Sequence, residues 1–186
     1  MNYIMIRTDD MLNGDGLRVV LFCTACKHHC KNCHNPETWK ASNGCLFDNK
    51  SKENIFRELE NDYISGLTLS GGDPLDENNL DDILNLCKEV KEKYPNKTIW
   101  LYSGFTWDEC NAVAKGFELD PNGQCNIFNR NNKKRQEIIK LCDVFIDGIF
   151  IEELSDVNYH WAGSTNQRVI DIKESLKQNK VVLHCD

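Results

Sequence analysis

Apolar positions recur along the chain with two different periods, which predicts strands alternating with helices. Leu17-Arg-Val-Val-Leu-Phe-Cys23 is the first strong strand, set off by the turn pairs Asn13-Gly14 and Asp15-Gly16. A polar, Cys-rich stretch from about Thr24 to Asn49 reads as a loop. Ser51 is placed to cap a helix whose apolar residues Ile55, Phe56 and Leu59 share one face. Gly66-Leu-Thr-Leu-Ser70 is a short buried strand running into Gly71-Gly72-Asp73-Pro74. The clearest helix follows, with Leu80, Ile83, Leu84, Cys87 and Val90 at helical spacing.

Lys97-Thr-Ile-Trp-Leu-Tyr102 predicts a third strand, ending at Ser103-Gly104, and Thr106-x-x-Glu109 is a capping-box pattern opening another helix. The polar stretch from Gly116 to about Lys133 has little periodicity and reads as a long surface loop or hairpin around Pro121-Asn122-Gly123. A helix through Ile138, Ile139 and Leu141 leads to the strand Asp143-Val-Phe-Ile-Asp147, closed by Gly148. Arg168-Val-Ile-Asp-Ile172, a short helix and a strand Val181-Val-Leu-His184 complete the chain. Alternating elements predict parallel βα units, and the strand count, too low for eight, predicts an open or partial α/β barrel. The 186 residues are expected to form one domain, 1–186, with the Cys-rich loop 24–49 and the polar insertion at about 116–133 as its irregular parts.

Composition narrows the function. Lys and Arg number 22 against 29 Asp and Glu, a net charge of −7, which disfavours nucleic acid because phosphate contacts need a clustered cationic surface. No apolar run approaches the ~20 residues of a membrane span, and no leader pattern stands at the start, so a cytoplasmic location is expected. Ten cysteines then stand out. A reducing cytosol disfavours a disulfide framework, and Cys clusters there more often serve metals or catalysis.

Cys26-x3-Cys30-x2-Cys33 is the central signal; chance would place such a triplet about 0.03 times in a chain of this composition. Three closely spaced thiolates suit three corners of an iron–sulfur cubane, leaving the fourth iron without a protein ligand and therefore reactive. The competing reading adds Cys23 to close a four-thiolate structural zinc site in a binding module. Its inner spacing is far shorter than the usual ~12–20 residues of zinc modules. Cys23 also ends an apolar strand, where a buried thiol behaves as a small hydrophobe. Gly71-Gly72-Asp73-Pro74, Ser103-Gly104, Asp147-Gly148 and the Cys loop each follow a different predicted strand, and such ends converge on one mouth in parallel α/β folds.

These residues carry a resemblance. The chain resembles the radical S-adenosylmethionine enzymes and, within them, the branch that activates the anaerobic ribonucleoside-triphosphate reductase. The likeness runs from Asn13-Gly14, Asp15-Gly16 and Arg18 through Leu21-Phe22 and the Cys triplet to Asn35 and Trp39. It continues through Leu69-Ser-Gly-Gly-Asp-Pro-Leu75, Asp143-Val-Phe-Ile-Asp-Gly148 and Trp161-Ala-Gly-Ser-Thr-Asn-Gln-Arg168. The resemblance implies that Cys26, Cys30 and Cys33 ligate a 4Fe-4S cluster and that S-adenosylmethionine chelates the open iron. Asn32, Cys33, His34 and Gly72 would hold that cofactor, Gly71 and Asp73 would support its ammonium group, and Ser103 and Asp147 would stand beside it. One electron from the reduced cluster would cleave the sulfonium, and the resulting 5′-deoxyadenosyl radical would take hydrogen from a backbone glycine of the reductase. The alternative within enzymes is another small radical S-adenosylmethionine enzyme with a different glycyl-radical partner or a small metabolite.

This chain departs from the pattern in having Asn32 before and His34 after the third Cys, Asp147-Gly-Ile-Phe150, and Trp161-Ala-Gly163. His28 and His29 read as solvated loop residues, and Cys87 and Cys142 as core. Lys27, His28, His29 and Lys31 form a local cationic collar suited to an acidic flavodoxin- or ferredoxin-like electron donor.

Overall fold

The computed structural model describes residues 1–111 and 127–185, so the turn expected at Pro121-Asn122-Gly123 lies outside the described residues. Seven strands, β1 (Asn2–Asp10), β2 (Leu17–Cys23), β3 (Cys45–Leu46), β4 (Ile64–Gly71), β5 (Thr98–Ser103), β6 (Val144–Asp147) and β7 (Arg168–Asp171), form one sheet in the order β3-β1-β2-β4-β5-β6-β7. The centre, β2-β4-β5-β6, is parallel, while β1 and β7 pair antiparallel with its two sides. The sheet does not close on itself. Among the described residues five α-helices join it: α1 (Asn49–Leu59), α2 (Leu80–Lys93), α3 (Trp107–Asn111), α4 (Ile127–Leu141) and α5 (Ile172–Gln178). Among the described residues no helix is long and apolar enough to cross a membrane.

The two faces of the sheet have different covers. Val19, Leu21, Leu67, Leu69, Ile99, Leu101 and Phe145 point to the face carrying the helices, where they pack with Ile55, Leu59, Ile83, Cys87, Val90 and Ile138. Strand alternation sends their neighbours Arg18, Thr68, Ser70, Trp100 and Tyr102 to the other face. Trp100 there joins Val144, Ile146 and Val169 in a smaller cluster against Trp161 and Ala162. That second face is polar as well as aromatic and is covered by loops. Arg18 is fully buried in it, as are Trp100 and Thr68.

Gly66 shows how tightly β4 and β5 approach. A Cβ at that position would stand 1.9 Å from the Thr98 carbonyl oxygen. Gly66→Ala is therefore expected to force the strands apart and destabilise the protein by about 2–3 kcal/mol. Chemical denaturation of the apoprotein reads this, and a loss under about 0.5 kcal/mol would show that the strands yield there without strain.

Several expectations are met and several are not. The strand Leu17–Cys23 and the helix through Leu80 and Val90 form as the pattern predicts. The helix α1 begins earlier than expected: Asp48, not Ser51, is its cap, accepting from the Ser51 N–H at 2.8 Å. Residues 127–133, expected as loop, are the first half of α4. The expected strand 181–184 touches β7 only through the bridge between Ile170 and Leu183. β1 has no counterpart in the expected elements.

Candidate active site

At the carboxyl ends of the parallel strands, on the loop-covered side, lies a cavity of about 240 Å³. Cys26, Cys30 and Cys33 line it, as do Gly71-Gly72 at the end of β4, Ser103-Gly104 at the end of β5 and Gly148 after β6. The convergence of strand-end loops expected from the sequence is thus present for those loops.

The loop carrying the thiols is wound tightly. Ala25, His29 and Asn32 all have positive φ, at 68°, 47° and 53°. The Cys26 amide is tied to the Trp39 carbonyl at 3.0 Å, and the Cys33 amide to the Cys30 carbonyl at 3.1 Å. A short 3-10 turn, Pro36–Thr38, closes the loop behind them. Each thiol meets a backbone donor: Cys33 Sγ accepts from the Asn35 N–H at 3.4 Å, Cys26 from the His28 and His29 amides, and Cys30 from the Phe150 amide. Burial pushes the Cys26 thiol up to about 11 and raises that of Cys30. Without a cation these groups stay protonated, and a bound metal centre reverses that balance.

Cys23 differs in kind. It is fully buried, its Sγ lies 3.3 Å from the Ser70 carbonyl oxygen, and the Asn79 side-chain amide donates to it at 3.6 Å. Burial raises its thiol well above the ordinary value. Among the described residues no three His, Cys, Asp or Glu side chains converge as ligands of a single ion would. A cubane presents its irons on separate corners, so its thiolates stand farther apart. Three cavity-facing sulfurs, each with an amide donor, fit such a cluster.

The remaining sequence-derived residues divide into two groups. Gly71 (φ 97°), Gly72, Ser103 and His34 line the cavity, the His34 ring 5.5 Å from that of Phe150. The Gly72 amide donates to the Cys23 carbonyl at 2.8 Å and the Asp73 amide to the Ala25 carbonyl at 2.8 Å, pinning the start of the Cys loop to the β4 turn. Asp73 is fully buried and faces the protein. Its Oδ1 accepts from the Leu75 amide (2.8 Å) and Ser103 Oγ (2.7 Å), and its Oδ2 from the Gly104 amide (3.2 Å). Asp147, also buried, holds Arg168 Nε at 3.0 Å and Nη2 at 2.5 Å and accepts from the Trp107 amide at 2.7 Å, at the start of α3. That interaction with Asp147 raises the Arg168 guanidinium above its usual range. Asn32 turns outward to Glu152.

Two readings of charged residues change. His28 is not solvated: its Nε2 lies 2.8 Å from Asp73 Oδ2, and its ring meets that of Phe105 edge-on at 4.9 Å. Nor is the cationic collar free, because Lys31 pairs with Glu152 at 2.8 Å and Glu153 at 3.4 Å. Lys27 lies over the Phe105 ring, 4.6 Å from its centre.

The cavity also has residues that the sequence reading did not assign to it. Ser70 and Tyr102 stand two positions beyond Thr68 and Trp100, so period-2 alternation already placed them on this face. Asn13, Gly163 and Gln167 come from loops and carried no such signal. Gln167 organises its segment, accepting from the Gly163 amide at 3.0 Å and the Ser164 amide at 3.2 Å and donating to the Gly148 carbonyl at 2.9 Å. Gln167→Ala should loosen this wall, with amide exchange at Gly163 and Ser164 roughly tenfold faster. Unchanged exchange would show that packing alone holds the segment.

Comparison with known proteins fits this geometry. Residues 12–170 match the family described as a 4Fe-4S single cluster domain. An anaerobic ribonucleoside-triphosphate reductase-activating protein of Haemophilus influenzae is 37% identical over 169 residues, covering 90% of this chain and 96% of that protein. The chain belongs to the anaerobic ribonucleoside-triphosphate reductase-activating proteins. Relatives of that name from Enterobacteria phage T4 and Escherichia coli K12 are 38% and 33% identical, covering 91% of this chain and 93% and 97% of theirs. The family match, residues 12–170, covers both the Cys loop and the 161–168 segment.

Proposed function

We propose that the protein activates anaerobic ribonucleoside-triphosphate reductase by generating a glycyl radical on it. Cys26, Cys30 and Cys33 would hold a 4Fe-4S cluster, and Gly71, Gly72, Ser103 and His34 would hold S-adenosylmethionine. When bound, the pair supplies reductive cleavage of the sulfonium and hence radical chemistry. The observation that carries this reading is the placement of the three thiols, with the glycine-bearing ends of three parallel strands, round one cavity in a chain of this family. We read the sheet as a partial barrel of the radical S-adenosylmethionine type, in a single domain. Its helices pack on one face, its mouth lies at the carboxyl strand ends, and its edges are open. A full barrel takes ~250 residues.

The chain's own contributions are binding, orientation and exclusion of water. The positive-φ loop sets the three sulfurs, and their amide donors stabilise the negative charge placed there. Gly71 and Gly72 let the end of β4 pack closely on the start of the Cys loop, since a Cβ at Gly72 would meet the Ala25 carbonyl oxygen at 2.7 Å. Asp73 and Asp147 act through what they hold: the former fixes Ser103 and Gly104, the latter Arg168 and the start of α3. The open mouth admits a loop of a second protein, and a backbone glycine suits it because no side chain blocks approach. A flavodoxin- or ferredoxin-like donor would reduce the cluster in the cytoplasm.

The test is anaerobic electron paramagnetic resonance of the reconstituted protein with reductant, S-adenosylmethionine and the reductase from the same source. A glycyl-radical doublet should appear, and should vanish when the reductase glycine is changed to Ala. Cofactor cleavage with no protein radical, while the two proteins demonstrably bind, would assign a small-molecule substrate instead.

A further inference from the structure

His28 occupies a slot built for it. The slot has three walls: the Asp73 carboxylate at 2.8 Å, the Phe105 ring met edge-on at 4.9 Å, and the bare backbone of Gly104. A Cβ on Gly104 would stand 2.5 Å from His28 Cδ2, so the imidazole fits only because position 104 lacks a side chain. Only 14% of the His28 side chain is exposed. Because an ionised carboxylate only accepts, the proton of this contact sits on Nε2. Every wall belongs to the carboxyl end of β4 or β5, whereas His28 lies in the three-residue arm between Cys26 and Cys30. No other side chain of that arm is buried on the sheet to this degree: Lys27 reaches the same Phe105 ring from its exposed side, and His29 turns to Trp39.

From this we propose that His28 is a positioning residue for the cluster, locking the Cys26–Cys30 arm to the strand ends through Asp73. The inference rests on the cluster assignment made above. Asp73 then has a different part from direct contact with the cofactor ammonium. Its four donors come from the β4 turn (Leu75), the end of β5 (Ser103 and Gly104) and the Cys loop (His28), so one buried carboxylate ties three segments of the cavity together. Removing the imidazole takes away the arm's one buried side-chain tie to Asp73 and leaves it the ring contacts of the exposed Lys27 and His29. Losing an outer partner of this kind typically costs a metal site 10–100-fold in affinity.

The experiment measures iron loss from anaerobically reconstituted full-length protein to a ferrous chelator, with the paramagnetic spectrum of the reduced cluster before and after adding S-adenosylmethionine. His28→Ala should lose iron roughly tenfold faster than wild type, and its spectrum should lose the change that the cofactor produces. His28→Gln, whose amide can still donate to Asp73, should return to within about twofold of wild type. Gly104→Ala, which keeps the imidazole but fills the slot it occupies, should reproduce the His28→Ala behaviour and decides the matter if that variant does not fold. Wild-type iron loss and spectrum in His28→Ala, or equal loss in the Ala and Gln variants, would overturn the proposal. Absence of a cluster from the wild-type protein would overturn it together with the reading beneath it, and is distinguished by the iron content before any chelator is added.

Discussion

Changing Cys26, Cys30 or Cys33 to Ala should abolish the cluster and all S-adenosylmethionine cleavage, while Cys23→Ala should retain both. The four thiols lie within eleven residues of one another and are chemically identical, so environment alone makes the difference. The triplet lines a cavity, and each of its sulfurs faces a backbone amide donor. Cys23 is enclosed at the end of β2, between the Ser70 carbonyl and the Asn79 amide, with nowhere to place an iron. Burial raises the Cys23 thiol well above its ordinary value, so forming its thiolate is costly where no cation can approach. The Cys23 variant should lose only packing, of the order of 1–2 kcal/mol. Iron and sulfide analysis after anaerobic reconstitution, with the visible charge-transfer absorption, separates the two outcomes. A Cys23 variant that lost its iron while a triplet variant kept it would reverse the ligand assignment.

What could be read from the chain followed the kind of interaction involved. β2 and α2 are set by local apolar periodicity, and their extents were legible. β1 was not. Its pairing with β2 carries two register irregularities, between Tyr3 and Met5 and between Arg7 and Asp10, which break the alternation that would announce a strand. The first half of α4, Ile-Phe-Asn-Arg-Asn-Asn-Lys, reads as loop because its three asparagines are poor helix formers and leave no apolar period. Asn132 is nevertheless buried, next to the buried Arg135, which donates to the Leu75 carbonyl at 2.9 Å and to Asn132 Oδ1 at 2.8 Å and whose guanidinium stacks over Phe105 at 4.1 Å. A buried face built from Arg and Asn is invisible to hydrophobic periodicity. His28 escaped for the same reason, since its partner Asp73 is 45 residues away and nothing near it in the chain signals burial. The Cys triplet, by contrast, is local in sequence and legible from spacing alone.

Arg18 gives the second large effect. It sits within an apolar strand, is fully buried, and uses all five of its N–H donors. Nε meets Thr68 Oγ1 at 2.7 Å; Nη1 meets the Asp15 carbonyl and Thr98 Oγ1, each at 3.0 Å; Nη2 meets the Leu67 carbonyl at 2.8 Å and the Thr98 carbonyl at 3.1 Å. Its guanidinium also stacks on Trp100 at 5.3 Å. Among the described residues no carboxylate is paired with it, and burial lowers it to about 10, still charged at neutral pH. The charge is stabilised by carbonyl and hydroxyl dipoles from β4, β5 and the 13–16 turn. Thr68 Oγ1 in turn donates to the Asn13 carbonyl at 2.8 Å, and Asn13 lines the cavity. Arg18 therefore supports the cavity floor from beneath. Arg18→Met, close in length but with no donors, should leave buried acceptors unpaired and destabilise the protein by about 3–5 kcal/mol. Arg18→Lys should recover little, because one ammonium cannot reproduce five donors fixed in a plane. Denaturation of the apoprotein measures the first effect, and amide exchange at Leu12 and Asn13, which are held by Asp10 in the same turn, reports whether the floor has loosened. If the Met variant were as stable as wild type, the five bonds would contribute no more than water does to an exposed guanidinium, and the floor would have to be held by Asp10 alone.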